Sequence, residues 1–255
     1  MSAQAVRPVV VTRAEGSDGP LSRELRGLGL TVLSWPAVSI ARADSSALDA
    51  ALAEAESFGW IVFASRHAVA AVLERLPRAP EGVRIGAVGQ ATAQVLRQRG
   101  WPVHLLPEEA SAAALIAAFA ARWSEQDAGV TVLYPASSRA LPTIAAGLTQ
   151  LGARVRQVEA YRTQAATLDI EECRAWIARG GIGAITFASP SAVSELAHSL
   201  GEADFQRLLT GTAAVAIGRT TAAELSAHGH AAVVAESATL HGLALTTLRL
   251  LQTRA

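Results

Sequence analysis

The sequence contains no lysine: all 22 of its basic residues are arginine. This absence excludes Schiff-base chemistry and a phosphate-binding loop that depends on lysine, and leaves the guanidinium group to bind carboxylates. Cysteine is almost absent as well: a lone Cys173 excludes an internal disulfide and a zinc site built from several cysteines. We expect Cys173 to be a packing residue on a helix.

The chain also lacks net charge and long apolar runs. Its 22 acidic residues balance the basic ones, so no overall field attracts nucleic acid or an anionic membrane. The longest apolar run, residues 112–121, is roughly half the length that a bilayer span needs. The N-terminal residues 1–16 have none of the parts of a signal peptide. We therefore expect a cytoplasmic protein with no membrane or nucleic-acid partner.

What the chain does contain is an internal repeat. Ala87–Gly100 and Ala216–Gly229 share one pattern, with glycine, threonine and a closing glycine in register. Upstream, Trp60–Val69 matches Ala184–Val193 in the same order. Further matches join Val9–Arg13 to Val130–Tyr134 and Leu25–Val32 to Leu148–Val155. Each copy spans about half of the chain, which indicates a duplicated structural unit.

Within each copy, short apolar runs alternate with alanine- and leucine-rich segments of helical length. Strands that are apolar on both faces and separated by helices are typical of parallel βαβ units. The strands predicted in the first copy are residues 9–11, 31–33, 61–63, 85–88 and 103–106. The predicted fold class is therefore α/β, with a doubly wound parallel sheet formed twice.

Small polar residues, glycines and arginines follow the predicted strands. Ligands of open α/β sheets bind outside the carboxyl ends of the strands, so these residues are candidates for an anion-binding site made of N–H groups and hydroxyls. The candidates are Arg13, Ser65, Arg66, Gly89, Thr92, Ser137, Arg139, Ser189, Gly218, Thr220 and Thr221. The alternative is that Gly89 and Gly218 only permit tight turns, while Thr92 and Thr221 cap helices.

Several common sites are missing. No strand is followed by a Gly-x-Gly-x-x-Gly turn, and no Gly-x-x-x-x-Gly-Lys loop occurs. The six histidines are scattered and form no metal-ligand pattern, and no serine, histidine and carboxylate set indicates a catalytic triad. We expect no metal and no cofactor.

Taken together, the motifs resemble the uroporphyrinogen-III synthase family. The resemblance rests on the order and spacing of the motifs, and it extends from Val9 to about Leu248. The motifs are Val-Val-Thr-Arg at 10–13, Phe-Ala-Ser-Arg-His-Ala-Val at 63–69, Ala-Val-Gly-x-x-Thr-Ala at 87–93, Glu-Ala-Tyr-Arg-Thr at 159–163, Phe-Ala-Ser-Pro-Ser-Ala-Val at 187–193 and Ala-Ile-Gly-Arg-Thr-Thr-Ala at 216–222.

The resemblance implies a domain arrangement that cuts across the repeats. Residues 1–36 and 164–255 would form one α/β domain, and residues 40–157 the other. Residues 35–40 and 157–163 would form a two-stranded linker, and the active-site cleft would lie between the domains. The duplication follows from the sequence itself, but this exchange of segments follows only from the resemblance.

The resemblance also implies a reaction. The family is a cyclising hydro-lyase of tetrapyrrole biosynthesis: it closes hydroxymethylbilane to uroporphyrinogen III with inversion of the last pyrrole ring and loss of water. It would need no cofactor, would work as a monomer, and would take its substrate from hydroxymethylbilane synthase through a transient contact.

The site residues are transferred from the family position by position. Tyr161 matches the family's linker tyrosine, so we expect its hydroxyl to assist loss of the substrate hydroxyl; the alternative is that it only packs the linker. Five strand-end residues match positions that face the substrate: Ser65, Thr92, Ser189, Thr220 and Thr221. Arg13 matches an early arginine of the family; the alternative is that it only forms a structural ion pair, as arginines beside strand ends often do. Ser137 and Arg139 are assigned from the repeat alone.

Two other function classes remain open at this point. A non-catalytic clamp could bind a tetrapyrrole or another polycarboxylate for regulation, since similar two-domain α/β proteins bind small molecules. A sugar- or nucleotide-binding protein is less consistent with the missing phosphate loops. Tyr161, Thr92 and the threonine pair at 220 and 221 favour the enzyme.

Overall fold

The computed structural model describes residues 7–44, 46–124 and 127–253. The first six residues, which belong to the segment tested for a signal peptide, lie outside the described residues. The chain divides into two compact units: one contains the described residues up to Ser39 and those from Gln164 onward, and the other runs from Ile40 to Thr163. Within the described ranges, no helix is both long and apolar enough to cross a bilayer.

Strands and helices alternate along the described chain. The strands are β1 (Val9–Val11), β2 (Val32–Ser34), β3 (Val38–Arg42), β4 (Trp60–Phe63), β5 (Arg84–Ala87), β6 (Thr131–Ser137), β7 (Arg154–Ala165), β8 (Ala184–Phe187), β9 (Ala213–Ala216) and β10 (Val233–Val234). The helices are α1 (Pro20–Gly27), α2 (Ser46–Ala53), α3 (Arg66–Leu73), α4 (Gln90–Gln98), α5 (Ala112–Ala120), α6 (Thr143–Gln150), α7 (Ile170–Arg179), α8 (Pro190–Leu200), α9 (Glu202–Gly211), α10 (Arg219–Ala227) and α11 (Leu240–Gln252). A short 3-10 helix covers Ala55–Ser57.

Each unit contains one five-stranded sheet. The order is β10-β9-β8-β1-β2 in the first unit and β3-β7-β6-β4-β5 in the second. The pairs β1/β2, β1/β8, β8/β9, β4/β5, β4/β6 and β6/β7 are all parallel. The α/β fold class with two doubly wound, largely parallel sheets is confirmed. Each sheet takes strands from both sequence repeats, because β1 pairs with β8 and β6 pairs with β4.

The strand order reverses once in each sheet. In the first unit the chain moves from β1 to β2 on one side and from β8 to β9 on the other, and the second unit does the same around β4 and β6. Such reversal points are where open α/β sheets bind ligands, outside the carboxyl ends of the strands.

The predicted domain 40–157 would end inside β7, which continues to Ala165.

Alternate residues of the strands pack on opposite faces of each sheet. In β1, Val10 belongs to one apolar cluster, whereas Val9 and Val11 belong to another. This follows from the two-residue period of a strand, and helices cover both faces. Coverage on both sides explains why β1, β4, β8 and β9 are buried at every position.

The predicted strand at residues 103–106 is wrong. Only Leu105 forms a bridge, to Gly86, and it is isolated. Pro102 and Pro107 bound this segment and have no N–H to donate to a ladder. The ring of His104 also accepts the Ile85 N–H, at 2.9 Å, and so takes a donor that a partner strand would use.

Cys173 is buried on α7, as expected. Burial, and then the nearby Glu172 and Asp169, raise the pKa of its thiol to about 12. The thiol therefore stays protonated at neutral pH and does not act as a nucleophile.

Candidate functional site

Four helices begin directly after strands, at the carboxyl edges of the two sheets. Ser65 is the N-cap of α3 and accepts the Ala68 N–H at 3.2 Å. Ser189 is the N-cap of α8 and accepts the Ala192 N–H at 3.3 Å. These serines follow β4 and β8, the strands at the reversal points. At each reversal point, therefore, the serine of the Phe-Ala-Ser motif caps the helix that follows the strand.

The other two helices begin with glycine. Gly89 and Gly218 are the N-caps of α4 and α10, and neither helix has a side-chain cap. Their φ values, −151° and −166°, are extended, so the backbone does not require glycine at either position. A Cβ atom at Gly89 would lie 2.9 Å from the Cβ of Ala110, whereas one at Gly218 would have no neighbour within 4 Å. Gly218 therefore leaves open space beside the first N–H groups of α10, which suits an anion.

The threonines lie one residue or more inside their helices. Thr92 and Thr221 are third residues of α4 and α10, and only 6% and 3% of their surfaces are exposed, whereas Thr220 is exposed. The alternative interpretation of Thr92 and Thr221 as helix caps is wrong, because the N-caps are Gly89 and Gly218.

Tyr161 lies on β7, half-buried, at the carboxyl edge of the second sheet. The Ser65 hydroxyl donates a hydrogen bond to the Tyr161 hydroxyl at 3.0 Å. The ring of His67, in the first turn of α3, lies 5.5 Å from the Tyr161 ring, and the tyrosine also packs against the apolar cluster of this unit. The structure thus brings together Ser65 and Tyr161, two residues that the sequence suggested separately.

The second tyrosine, Tyr134, differs sharply in environment. It lies inside β6 and only 3% of its surface is exposed. Burial, followed by the nearby Tyr161, raises the pKa of Tyr134 to about 12. A buried phenol with this pKa neither reaches a ligand nor releases a proton near neutral pH, so Tyr134 is not a candidate for the site.

The turn after β6 is attached to β7 beside Tyr161. The Ser137 hydroxyl lies 2.9 Å from the Thr163 hydroxyl, and it also accepts the Arg139 N–H at 3.2 Å. The Ser138 N–H donates to the Tyr161 carbonyl at 3.0 Å. The register of the β6/β7 pair shifts between Ala136 and Ser137, which places Ser137 opposite Tyr161. Ser137 and Tyr161 therefore share one edge.

Arg13 has a partner within its own unit. Its Nε atom lies 2.8 Å from an oxygen of Glu15, whose side chain is 4% exposed. The same carboxylate accepts the Ser22 N–H at 2.9 Å and so satisfies the start of α1. Arg13 balances a buried carboxylate, a structural role that competes with the predicted role in substrate binding. Arg66, the first residue of α3, is half-buried at the edge that carries Ser65.

Two residues at this edge were missed at the level of sequence. His67 was grouped with the scattered histidines, although it follows Ser65 by two residues in the same motif. Thr163 lies in the Glu-Ala-Tyr-Arg-Thr segment, two residues after Tyr161, and alternation along a strand places both on one face of β7. These short spacings were the available signals.

Comparison with known proteins agrees with the earlier resemblance. The family model described as uroporphyrinogen-III synthase HemD matches residues 19–244. The uroporphyrinogen-III synthase of Synechococcus elongatus is 30% identical over 251 residues, covering 94% of this chain and 93% of the relative. The protein of the same name from Chlorobaculum parvum is 26% identical, covering 88% of this chain and 90% of its own.

Solved structures give the same fold. A mutant uroporphyrinogen III synthase from Thermus thermophilus superimposes with a TM-score of 0.69 at 20% identity, covering 96% of this chain and 99% of its own. The enzyme from Helicobacter pylori gives a TM-score of 0.63 at 16% identity, with the same coverage. Because the family model matches most of the sequence and the first of these relatives covers nearly all of it, the chain belongs to the uroporphyrinogen-III synthase family.

Proposed function

We propose that the chain closes hydroxymethylbilane to uroporphyrinogen III, with loss of water and inversion of the last pyrrole ring. The observation that carries the proposal is the family match over residues 19–244. Beyond the family match, the proposal says which residues take part: the helix starts bind the substrate, and Tyr161 assists bond cleavage.

Substrate binding is assigned to the helix N-termini. The bilane carries eight carboxylates, and anions are stabilised where unpaired N–H groups and the helix dipole point outward. Among the four helices that begin directly after a strand, each unit contains one with a serine cap and one with a glycine cap. The glycine-capped starts are the better carboxylate sites, because no capping side chain occupies their N–H groups. Arg66 and Arg139 add positive charge at the edge of the second unit.

Bond cleavage is assigned to Tyr161. The departing hydroxyl of the bilane needs a hydrogen-bond donor, and its loss leaves an electrophilic azafulvene. In the bond between Ser65 and Tyr161 the serine is the donor, so the tyrosine proton is not used there. It is available to the departing oxygen. A phenol is a weak acid, so the role is hydrogen bonding as the C–O bond breaks rather than complete proton transfer.

Ring inversion is assigned to positioning. The azafulvene reacts without covalent help, and what must be controlled is which carbon of the last ring attacks it. Holding a flexible chain in one reactive geometry can contribute several kcal/mol to a rate. An enzyme of this kind needs fixed anion sites more than a nucleophile, which is consistent with a protonated Cys173 and an edge rich in hydroxyls.

The test uses freshly generated hydroxymethylbilane. The purified protein is added, the porphyrinogen is oxidised, and isomers I and III are separated by chromatography; heat-denatured protein is the control. Free bilane closes spontaneously to the uninverted isomer I, so we expect isomer III with native protein and isomer I with the control.

Two outcomes would contradict the proposal. Isomer I formed at the spontaneous rate means that the chain does not catalyse the closure. Saturable binding of the bilane together with that spontaneous rate would instead support the alternative of a non-catalytic clamp.

A further inference from the structure

We propose that Ser65 is a positioning residue that orients the Tyr161 hydroxyl for the departing oxygen. This inference rests on the proposed function and refines it, because the sequence suggested Ser65 only as a residue that binds substrate. The observation that leads to it is the direct contact between the two hydroxyls, from residues that are 96 positions apart in the chain.

The contact belongs to a directed chain of hydrogen bonds. The Ala68 N–H, in the first turn of α3, donates to the Ser65 oxygen at 3.2 Å. The Ser65 hydroxyl then donates to the Tyr161 oxygen at 3.0 Å. Successive bonds in one direction polarise each other, and the positive end of the helix dipole lies at the start of this chain. Charge that develops on the Tyr161 oxygen as its proton moves toward the substrate is therefore stabilised.

The rest of Tyr161 is already fixed by other contacts. Its carbonyl accepts the Ser138 N–H, and its ring packs on His67 and on the apolar cluster of the unit. The remaining freedom is rotation of the phenol O–H bond. A donor at 3.0 Å removes that freedom, because the tyrosine oxygen accepts from Ser65 and its own proton must point elsewhere.

The other reversal point shows that capping a helix does not require such a contact. Ser189 holds the same place after β8 and caps α8 in the same way. Its hydroxyl lies 3.1 Å from the hydroxyl of Ser191, two residues further on. A serine at this place can therefore cap its helix without contacting a tyrosine, and the bond from Ser65 to Tyr161 is an addition to the cap.

The test compares substitutions that separate capping from orientation. Ser65→Gly removes the hydroxyl but keeps a tolerated N-cap, since Gly89 begins α4 with nearly the same backbone angles and no side-chain cap. Ser65→Thr restores a hydroxyl that both accepts and donates. Ser111→Ala is the matched control, because Ser111 caps α5 in the same unit by accepting the Ala114 N–H.

We expect Ser65→Gly to lower kcat about tenfold without raising KM, and to shift the product toward isomer I. Ser65→Thr should recover most of the rate, and Ser111→Ala should keep both kcat and the isomer ratio. A second readout is the ¹³Cζ NMR signal of labelled tyrosine. The chain has only two tyrosines, so Tyr161 is identified as the signal that disappears in Tyr161→Phe. That signal should move in Ser65→Gly and not in Ser111→Ala.

The outcomes distinguish this inference from the proposed function. If wild-type protein forms no isomer III, the proposed function fails. If wild type forms isomer III and Ser65→Gly keeps the wild-type kcat and isomer ratio, the positioning role is overturned while the function stands. A raised KM with unchanged kcat would also overturn it, because Ser65 would then only bind substrate. An unmoved Tyr161 signal in Ser65→Gly would mean that the hydrogen bond does not form in solution.

Discussion

Replacing Tyr161 with phenylalanine tests the chemical part of the proposal most directly. The substitution removes one hydroxyl and keeps the aromatic ring. The ring contacts with His67 and with the apolar cluster of the second unit therefore persist, and so does the hydrogen bond from the Ser138 N–H to the backbone carbonyl. What disappears is the hydrogen bond from Ser65 and, under the proposed role, the proton offered to the substrate.

The cost to the fold should be small. A neutral hydrogen bond contributes about 0.5–1.5 kcal/mol to the free energy of unfolding. Because Tyr161 is half-buried, water can replace the lost partner of Ser65, so the lower part of that range applies. A protein with a stability in the usual range stays folded after such a loss.

The cost to the reaction should be larger. A hydrogen bond that strengthens as charge develops contributes roughly 1.5–3 kcal/mol, which corresponds to a ten- to hundredfold lower kcat. KM should change little, since the proposed carboxylate sites at the helix starts are intact. A slowed enzyme competes less well with spontaneous closure, so the product should shift from isomer III toward isomer I.

The assay measures the initial rate of bilane consumption and the isomer ratio at the same time. Tyr134→Phe is the matched control: it removes the same group from the other tyrosine, which is buried in β6, and should leave rate and isomer ratio unchanged. If Tyr161→Phe keeps the wild-type rate with isomer III as sole product, the hydroxyl has no chemical role. Positioning at the helix starts would then account for the whole effect.

Three further predictions concern binding, pH and domain structure. Gly218→Ser should raise KM about two- to fivefold without loss of thermal stability, because the serine hydroxyl would cap α10 and compete with the substrate carboxylate. A helix start stabilises such a carboxylate by roughly 0.3–1 kcal/mol, which sets this range. An unchanged KM would remove this helix start from the site. The Arg84 guanidinium, 2.8 Å away, and then the backbone N–H and hydroxyl of Ser124 hold the pKa of Asp127 below its ordinary 3.8. A carboxyl group whose pKa is lower in the folded state stabilises the fold above its unfolded pKa, and this stabilisation is lost as the pH falls through the folded pKa. In denaturant titrations, the free energy of unfolding should therefore fall less steeply below about pH 4 in Asp127→Asn than in the wild type. The fragment 40–163 should give a cooperative thermal transition, whereas 1–117 should not, since it contains β1 without its partner β8; the opposite result would contradict the division into two units.

Much of the fold could be predicted because its signals are local. The run Val9–Val11 is apolar throughout, and a strand covered on both faces requires this. Gly100 and Gly229 follow α4 and α10 with φ values of 76° and 81°, as expected for glycines that end helices. The order and spacing of such motifs also identified the family, which is confirmed.

Other features could not be derived from local patterns. The segment 103–106 reads as a strand by composition, but the ring of His104 accepts the Ile85 N–H, and only Leu105 forms a bridge to the neighbouring strand. Arg13 reads as an anion-binding residue, yet Glu15 takes its Nε–H because that carboxylate also serves the start of α1. In each case a second side chain competes for a hydrogen-bonding group, and a single motif does not reveal that contact.

The sequence by itself determined the α/β class, the duplication and the polar residues that follow the strands, because these depend on periodicity and turn chemistry over a few residues. Only the tertiary structure decided that β1 pairs with β8 and β6 with β4, since two similar repeats can pair their strands in more than one way. The same holds for Tyr161: contact with Ser65 and burial of Tyr134 arise from side chains that meet across distant strands, and long-range packing rather than local preference sets them.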